Sequence, residues 1–353
     1  MTNIENLFPA EGAPVVDRKK YPPNKISDIV DSFFVDEING KISPKSPPPN
    51  RDEAQVKILL GAPGSGKSYN AAEDYFALNR TVQSKTVYVS YDETGAIYAI
   101  PEFVKEMKEI LGNDFDEHGH IDFDALEPEE YQAIEGIWTK YRALSQHIRS
   151  EILNRAAADG FNLIIDTTSS SPGSLKMIKA FKGAGYKKEN IEIEGTYAPW
   201  DMSRSRVETR PRKASYLELL TKRVGNPEDN KGALNMIRPL IEAAGTFTYR
   251  YNPDNQNAPQ VAFAYKDGEL AEANLDVIDQ MQQSCEHDVL RMIGFLPEIV
   301  EKHPDFQKDA ADYERYIYQT DDGFRAFLEQ VKLAMRPAPD PKSGSAPPAA
   351  PEP

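Results

Sequence analysis

The stretch QVKILLGAPGSGKSYNAA, residues 55–72, constrains this chain more than any other. A short apolar run breaks into small residues, and a lysine and a serine then open a helical pattern. Gly61, Gly66, Lys67 and Ser68 fill the spacing GxxxxGK[ST]. The spacing has a physical reason. Glycines let successive backbone N–H groups turn inward around an anion, and a helix starting beside them adds its positive end. Gly61, Ala62, Pro63, Gly64, Ser65, Gly66, Lys67 and Ser68 therefore form a candidate cradle for a nucleoside triphosphate. Lys67 would reach the β- and γ-phosphates, and the Ser68 hydroxyl would ligate Mg²⁺.

What surrounds the loop alternates strand and helix, which argues for a mostly parallel sheet flanked by helices. QVKILL (55–60) reads as a buried parallel strand, and a helix follows from about Gly66 to Asn79. KTVYVSY (85–91) is the second strand. From Pro128, residues Tyr131, Ile134, Trp138, Tyr141, Leu144, Ile148 and Ile152 recur at helical steps, so a long helix runs to Asp159 and stops at Gly160. FNLIID (161–166) and NIEIEGTY (190–197) are the third and fourth strands. TFTYRY and QVAFAYKDGEL read as two later ones. The expected organisation is an arm over residues 1–50, a phosphate-binding domain over 51–270, a helical extension over 271–335 and a tail over 336–353. The arm carries eight prolines between residues 9 and 50 and one apolar patch, ISDIVDSFFVDEI, able to form a docking helix. The last 17 residues hold seven prolines and cannot build a core.

Chemistry-bearing residues fall at strand ends. VYVSYDETG puts Asp92 and Glu93 straight after the second strand, 25 residues beyond Lys67. There a carboxylate can take the proton of a substrate hydroxyl, as phosphotransfer to a small molecule requires. The same pair could instead hold Mg²⁺ and polarise water in a motor-type ATPase. The third strand ends in IIDTTSSSPGS. Asp166 could bind Mg²⁺ through water while Thr167 and Thr168 hold a substrate, or the three could cap the following helix. After the fourth strand, Arg204, Arg206, Arg210 and Arg212 lie within nine residues. Cations there suit a transferring phosphoryl group, whose charge the protein must stabilise. Their spacing cannot place all four on one helical face.

Charge narrows the substrate class. The 353 residues carry 41 basic and 56 acidic side chains, a formal net charge of −15. That balance opposes non-specific nucleic-acid binding, and with it a polynucleotide 5′-kinase, but leaves a small anionic substrate open. One cysteine, Cys285, excludes an internal disulfide and reads as a small buried apolar residue among Leu275, Ile278, Met281, Val289 and Met292. His118 and His120 sit in the acidic stretch NDFDEHGHIDFD, which reads as a solvated loop. No signal peptide and no run of about 18 apolar residues is visible, so no membrane association is expected. The expectation is a soluble protein of a reducing compartment.

GAPGSGKS, an Asp after the second strand, NLIIDTT and the arginines after the fourth strand together resemble the zeta-toxin kinases, over roughly residues 55–255. The run ILNRAAADGFNLIIDTTSSSPGSLKMIKAFKGAGYKKENIEI follows that family's rhythm of helix, Gly, strand, Asp-x-Thr, helix, Gly-Tyr, strand. The resemblance implies an α/β P-loop kinase fold with a helical C-terminal extension. It further implies transfer of the γ-phosphoryl of ATP, with Mg²⁺, to the 3′-hydroxyl of the sugar in UDP-N-acetylglucosamine. Related effector kinases of the same fold phosphorylate NAD on its adenosine ribose, and the substrate stays open between the two. Lys67 and Ser68 would bind ATP–Mg²⁺, and Asp92 would be the general base. Thr168 would contact the substrate or its phosphates, with Glu93 and Thr167 as further candidate substrate contacts. Arg204 or Arg206 would form the arginine pair with Arg210 or Arg212. DETGAIYAIPEF departs from the family in lacking its Arg and His, and Tyr91, Tyr98 and Phe103 could stack there on a substrate ring. The family also implies a toxin or effector role, in the bacterial cytoplasm or inside a host cell, and a small helical antitoxin or chaperone that inhibits it.

Overall fold

Among the described residues, one sheet contains β1 (Val56–Leu60), β2 (Thr86–Ser90), β3 (Asn162–Thr167), β4 (Ile191–Tyr197), β5 (Thr246–Tyr251), β6 (Gln260–Lys266) and β7 (Glu269–Ala273). Their spatial order is β2–β3–β1–β4–β5–β6–β7. The structure is a computed structural model, and it describes residues 17, 19–35, 46–90, 96–112, 126–167, 173–208, 215–227, 232–254 and 257–335. β2, β3, β1, β4 and β5 run parallel, and β6 and β7 add antiparallel. Helices cover both faces at β2, where alternation is lost and all five residues are buried, whereas β5 keeps an alternating burial pattern. β7, at the far edge, has no fully buried residue.

The helices are α1 (Pro23–Val35), α2 (Lys67–Ala77), α3 (Arg80–Gln83), α4 (Pro101–Leu111), α5 (Pro128–Asp159) and α6 (Gly173–Gly183). They continue as α7 (Trp200–Glu208), α8 (Tyr216–Val224), α9 (Ile237–Ala243), α10 (Leu275–Lys302) and α11 (Ala310–Met335). The long amphipathic pattern becomes α5 with the expected bounds. Pro128 opens it, and Gly160, at φ +81°, closes it by donating its N–H to Ala156 O. Arg51 sits against Gly160 and Gly185, where its Nη2 donates to Ala157 O in the last turn of α5. The apolar patch of the proline-rich arm forms α1, whose Ile26, Ile29, Val30, Phe33 and Phe34 are all buried.

Two sequence expectations are revised. QVAFAYKDGEL is not one strand, because Asp267 (φ +52°) and Gly268 (φ +88°) make a two-residue turn that folds β7 back on β6. Leu275 is 42% exposed rather than packed beside Cys285.

The main apolar core lies on one sheet face and takes side chains from α1, α4, α5 and α6. The C-terminal helices share it through residues such as Ile278, Met281, Phe324 and Leu328. On the other face α2 packs Ala71 and Tyr75 on Leu59, Tyr88 and Ile164. Beside this patch the sheet turns polar. Glu194, 1% exposed, accepts from Asn70 Nδ2 at 3.1 Å and pairs with Lys57 at 3.3 Å and Arg250 at 2.9 Å. One hydrogen-bond donor and two cations offset the cost of burying that carboxylate. Burial alone would lower the Lys57 ammonium, but Glu194, Glu192 and Asp74 outweigh it and raise it above its usual value.

Candidate active site

The strand order reverses at β1. Its chain continues to β2 on one side, whereas β4 leads to β5 on the other, so a crevice opens at the carboxyl ends of β1, β3 and β4. The glycine loop fills that position. A Cβ on Gly61 would lie 2.9 Å from Thr196 O. Gly64 takes φ +76°, and a Cβ there would lie 2.2 Å from Ser203 O. Gly66, at φ +94°, caps α2, and a Cβ there would meet Asn252 Nδ2 at 2.3 Å. Glycine is demanded here by both backbone conformation and crowding. The first turn of α2 carries no acidic side chain, so its positive end faces the loop uncancelled.

Lys67 and Asp166 meet inside the crevice. Lys67 is 4% exposed, and its Nζ lies 3.7 Å from Asp166 Oδ1, beyond hydrogen-bond range. Asp166 is 2% exposed. Its Oδ2 accepts from Ser90 Oγ at 3.3 Å, while Oδ1 has no hydrogen-bond donor among the described residues. The parallel register sets this arrangement by pairing Leu59 with Asp166 and Leu60 with Thr167. Thr167 is buried at the end of β3, and Ser68 stands half-buried in the first turn of α2. A buried cation held loosely beside an undersatisfied carboxylate, at the mouth of a left-handed glycine loop, fits a phosphate–Mg²⁺ pair. Mg²⁺ needs only one or two protein oxygens when phosphates and water complete its shell. Among the described residues no cluster of three His, Cys, Asp or Glu side chains could hold a metal by itself.

The described arginines diverge. Arg206 Nη1 donates to Gly64 O at 3.0 Å, and its Nη2 donates to Asn252 Oδ1 at 3.3 Å and Asp254 O at 2.5 Å. It thus grips the outer wall of the loop. Arg204 turns away, pairing with Glu208 at 3.0 Å and lying 5.0 Å over the Phe295 ring. Asp92, Glu93, Thr168, Arg210 and Arg212 lie outside the described residues, as do Tyr91, His118 and His120. Phe103 is 0% exposed and Tyr98 is buried. Both rings sit edge-on in a cluster with Trp138, which leaves the face of Phe103 to the core rather than to a substrate.

Asn252 and Ser90 escaped sequence reading. Asn252 Nδ2 donates to Ser65 O at 2.9 Å, and its backbone N–H donates to Tyr197 O at 2.8 Å. Both residues stand at the carboxyl end of a strand or directly after it, and that rule would have found them. Two surface grooves of about 600 and 680 Å³ flank α1, and neither is lined by a residue of the glycine loop 61–68.

With this geometry in view, the chain can be set beside known proteins. It is similar to several solved structures. One is from the PezAT chromosomal toxin–antitoxin system of Streptococcus pneumoniae, at 13% identity and TM-score 0.38, covering 79% of this chain and 98% of that one. AvrRxo1-ORF1:-ORF2 with ATP aligns at 11% identity and TM-score 0.42, covering 89% and 90%. The same pair with sulphate ions aligns at 11% and 0.40, covering 90% and 96%. No protein-family model and no curated protein matches the chain. The α/β fold with its mostly parallel sheet is defined by the strand order and register themselves. Among the described residues no helix is long and apolar enough to cross a membrane.

Proposed function

We propose that this chain is a P-loop kinase of zeta-toxin type, which transfers the γ-phosphoryl of ATP to a sugar or ribose hydroxyl of a nucleotide metabolite. The observation that carries the reading is the pairing of the left-handed glycine loop with buried Lys67 and Asp166 at the reversal point of the sheet. Backbone N–H groups of Gly64–Ser68 and the start of α2 would hold the phosphates, with Lys67 against the β- and γ-oxygens. Ser68 and Asp166 would hold Mg²⁺. When bound, the ion neutralises charge on the phosphate oxygens.

Asp92 would take the proton of the acceptor hydroxyl as its oxygen bonds to phosphorus and the bond to the ADP oxygen breaks. Glu93, Thr167 and Thr168 would orient the acceptor. Arg206 holds the loop from outside, and Arg210 and Arg212 would be the candidates to stabilise the moving phosphoryl group. NAD and UDP-N-acetylglucosamine are the acceptors to test, and a small helical antitoxin or chaperone is the partner to seek.

The test is incubation with γ-labelled ATP and a metabolite extract, followed by mass spectrometry of whatever gains label. A labelled nucleotide metabolite is expected. Lys67→Ala should abolish both binding and transfer, whereas Asp92→Asn should keep ATP affinity and lose the product. Release of free phosphate alone would sink the kinase reading and favour an ATPase built on Asp92 and Glu93.

A further inference from the structure

The C-terminal helices bear on the phosphate loop directly. Ala62 of the loop belongs to an apolar cluster with Trp200, with Leu219 and Leu220 of α8, and with Met292 of α10 and Ile317 of α11. At the upper edge of this cluster lies a buried carboxylate, Asp288 of α10, 4% exposed. Its Oδ1 accepts the N–H of Trp200, the first residue of α7, at 2.8 Å. Its Oδ2 accepts from Tyr197 Oη at 2.7 Å and from Arg223 Nη2 of α8. Arg223 Nη1 in turn donates to Ala198 O at 2.8 Å. The amino end of α7 is therefore capped by a side chain borrowed from another helix, a charge complement to its dipole as well as a hydrogen bond.

We propose that Asp288 is a positioning residue through which the α10–α11 hairpin sets the geometry of the phosphate loop. Two routes lead from this carboxylate to adjacent loop residues. The first runs along α7, where Ser203 O abuts Gly64 and Arg206 Nη1 donates to Gly64 O. The second runs through Tyr197, whose carbonyl accepts from Asn252 N–H, and then through Asn252 Nδ2 to Ser65 O. The bond from Arg206 to Asn252 Oδ1 joins the two routes. Gly64 and Ser65 are thus held from both sides by contacts that converge on one atom group of α10. Cys285, one turn earlier, donates to Tyr197 Oη at 3.2 Å and helps to fix that ring.

A carboxylate that merely stabilised the fold could be exchanged with its partner for apolar side chains without local consequence, since such replacements of buried ion pairs are often neutral. This separates positioning from stability. The role in catalysis rests on the kinase reading above, but the primary readout does not. The double variant Asp288→Leu/Arg223→Met leaves no unpaired buried charge, although it strips the partners of Trp200 N–H, Tyr197 Oη and Ala198 O. It should therefore still fold and melt cooperatively, at a lower temperature. Amide hydrogen exchange without nucleotide should nevertheless be at least tenfold faster at 200–207 and 64–67, with α5 unchanged. ATP affinity should fall at least tenfold at a temperature where the variant is fully folded.

A folded double variant with natural exchange rates in both segments overturns the proposal. If the double variant does not fold, Asp288→Asn, which keeps an acceptor facing Trp200, should show a smaller increase in the same two segments. Exchange raised uniformly through the sheet, or in neither segment, overturns the proposal there. A natural chain that bound no ATP would refute the kinase reading while the exchange comparison still decided this one.

Discussion

Asn252 binds the loop with both ends of its amide: Nδ2 donates to Ser65 O while Oδ1 accepts from Arg206. Asn252→Ala strips both contacts in a buried setting, where each orphaned group costs about 1 to 3 kcal/mol. The loop should loosen before the sheet does, so calorimetry is expected to show ATP affinity falling about tenfold, a cost of about 1.4 kcal/mol. Unchanged affinity would remove Asn252 from the site. Far from the loop, Glu106 on α4 accepts from Lys140 Nζ at 2.6 Å and from Tyr141 Oη at 2.6 Å. The Lys140 hydrogen bond, then that of Tyr141, holds its carboxyl below the usual value. A group whose folded value is depressed contributes stability above the ordinary carboxylate range and loses it as pH falls through the lowered value. Melting curves of the natural chain and Glu106→Gln should therefore differ most at pH 7 and converge in acid. A gap independent of pH would exclude that ion pair as its source.

Elements with hard punctuation were legible in the sequence. α5 runs from Pro128 to Gly160 because proline fits a helix start and glycine takes the left-handed exit. Gly160→Ala should cost about 1 to 2 kcal/mol for the forced left-handed residue, read as a lower urea midpoint at constant slope. A midpoint equal to the natural chain's would show that the exit relaxes freely. β1, β2 and β3 were legible because burial on both faces leaves nearly unbroken apolar runs, and β4 and β5 because their residues alternate. What stayed hidden depends on long-range contacts. Whether Arg204 or Arg206 reaches the loop is decided by how α7 is rotated, and that rotation is set by Trp200 meeting a carboxylate 88 positions away. The β6–β7 break was in view as Asp267-Gly268, a hairpin signal overlooked because the flanking residues continue a strand pattern.

At the scale of the molecule, the last two long helices are part of the same body as the sheet and the glycine loop. Val277, Ile278, Met281 and Cys285 of α10 join the same core as Tyr249 and Phe263 of the sheet. Cys285 is an inert thiol there, pushed up to about 12 by burial, so it stays protonated and donates to Tyr197. A chain ending at Ala273 would leave Phe247, Tyr249 and Phe263 bare, and it is expected to be insoluble or to bind hydrophobic dyes. A soluble, cooperative melt from that fragment would show the sheet to be self-sufficient. The distance spanned by these contacts also imposes an order of events on the ribosome. Ser65 is made early, and its partner Asn252 follows 187 residues later. At about 5 to 20 residues per second that is a wait of roughly 10 to 40 seconds. Throughout that interval the nascent loop has its glycines and lysine but no wall behind them, so the site can be assembled only after β5 has been made.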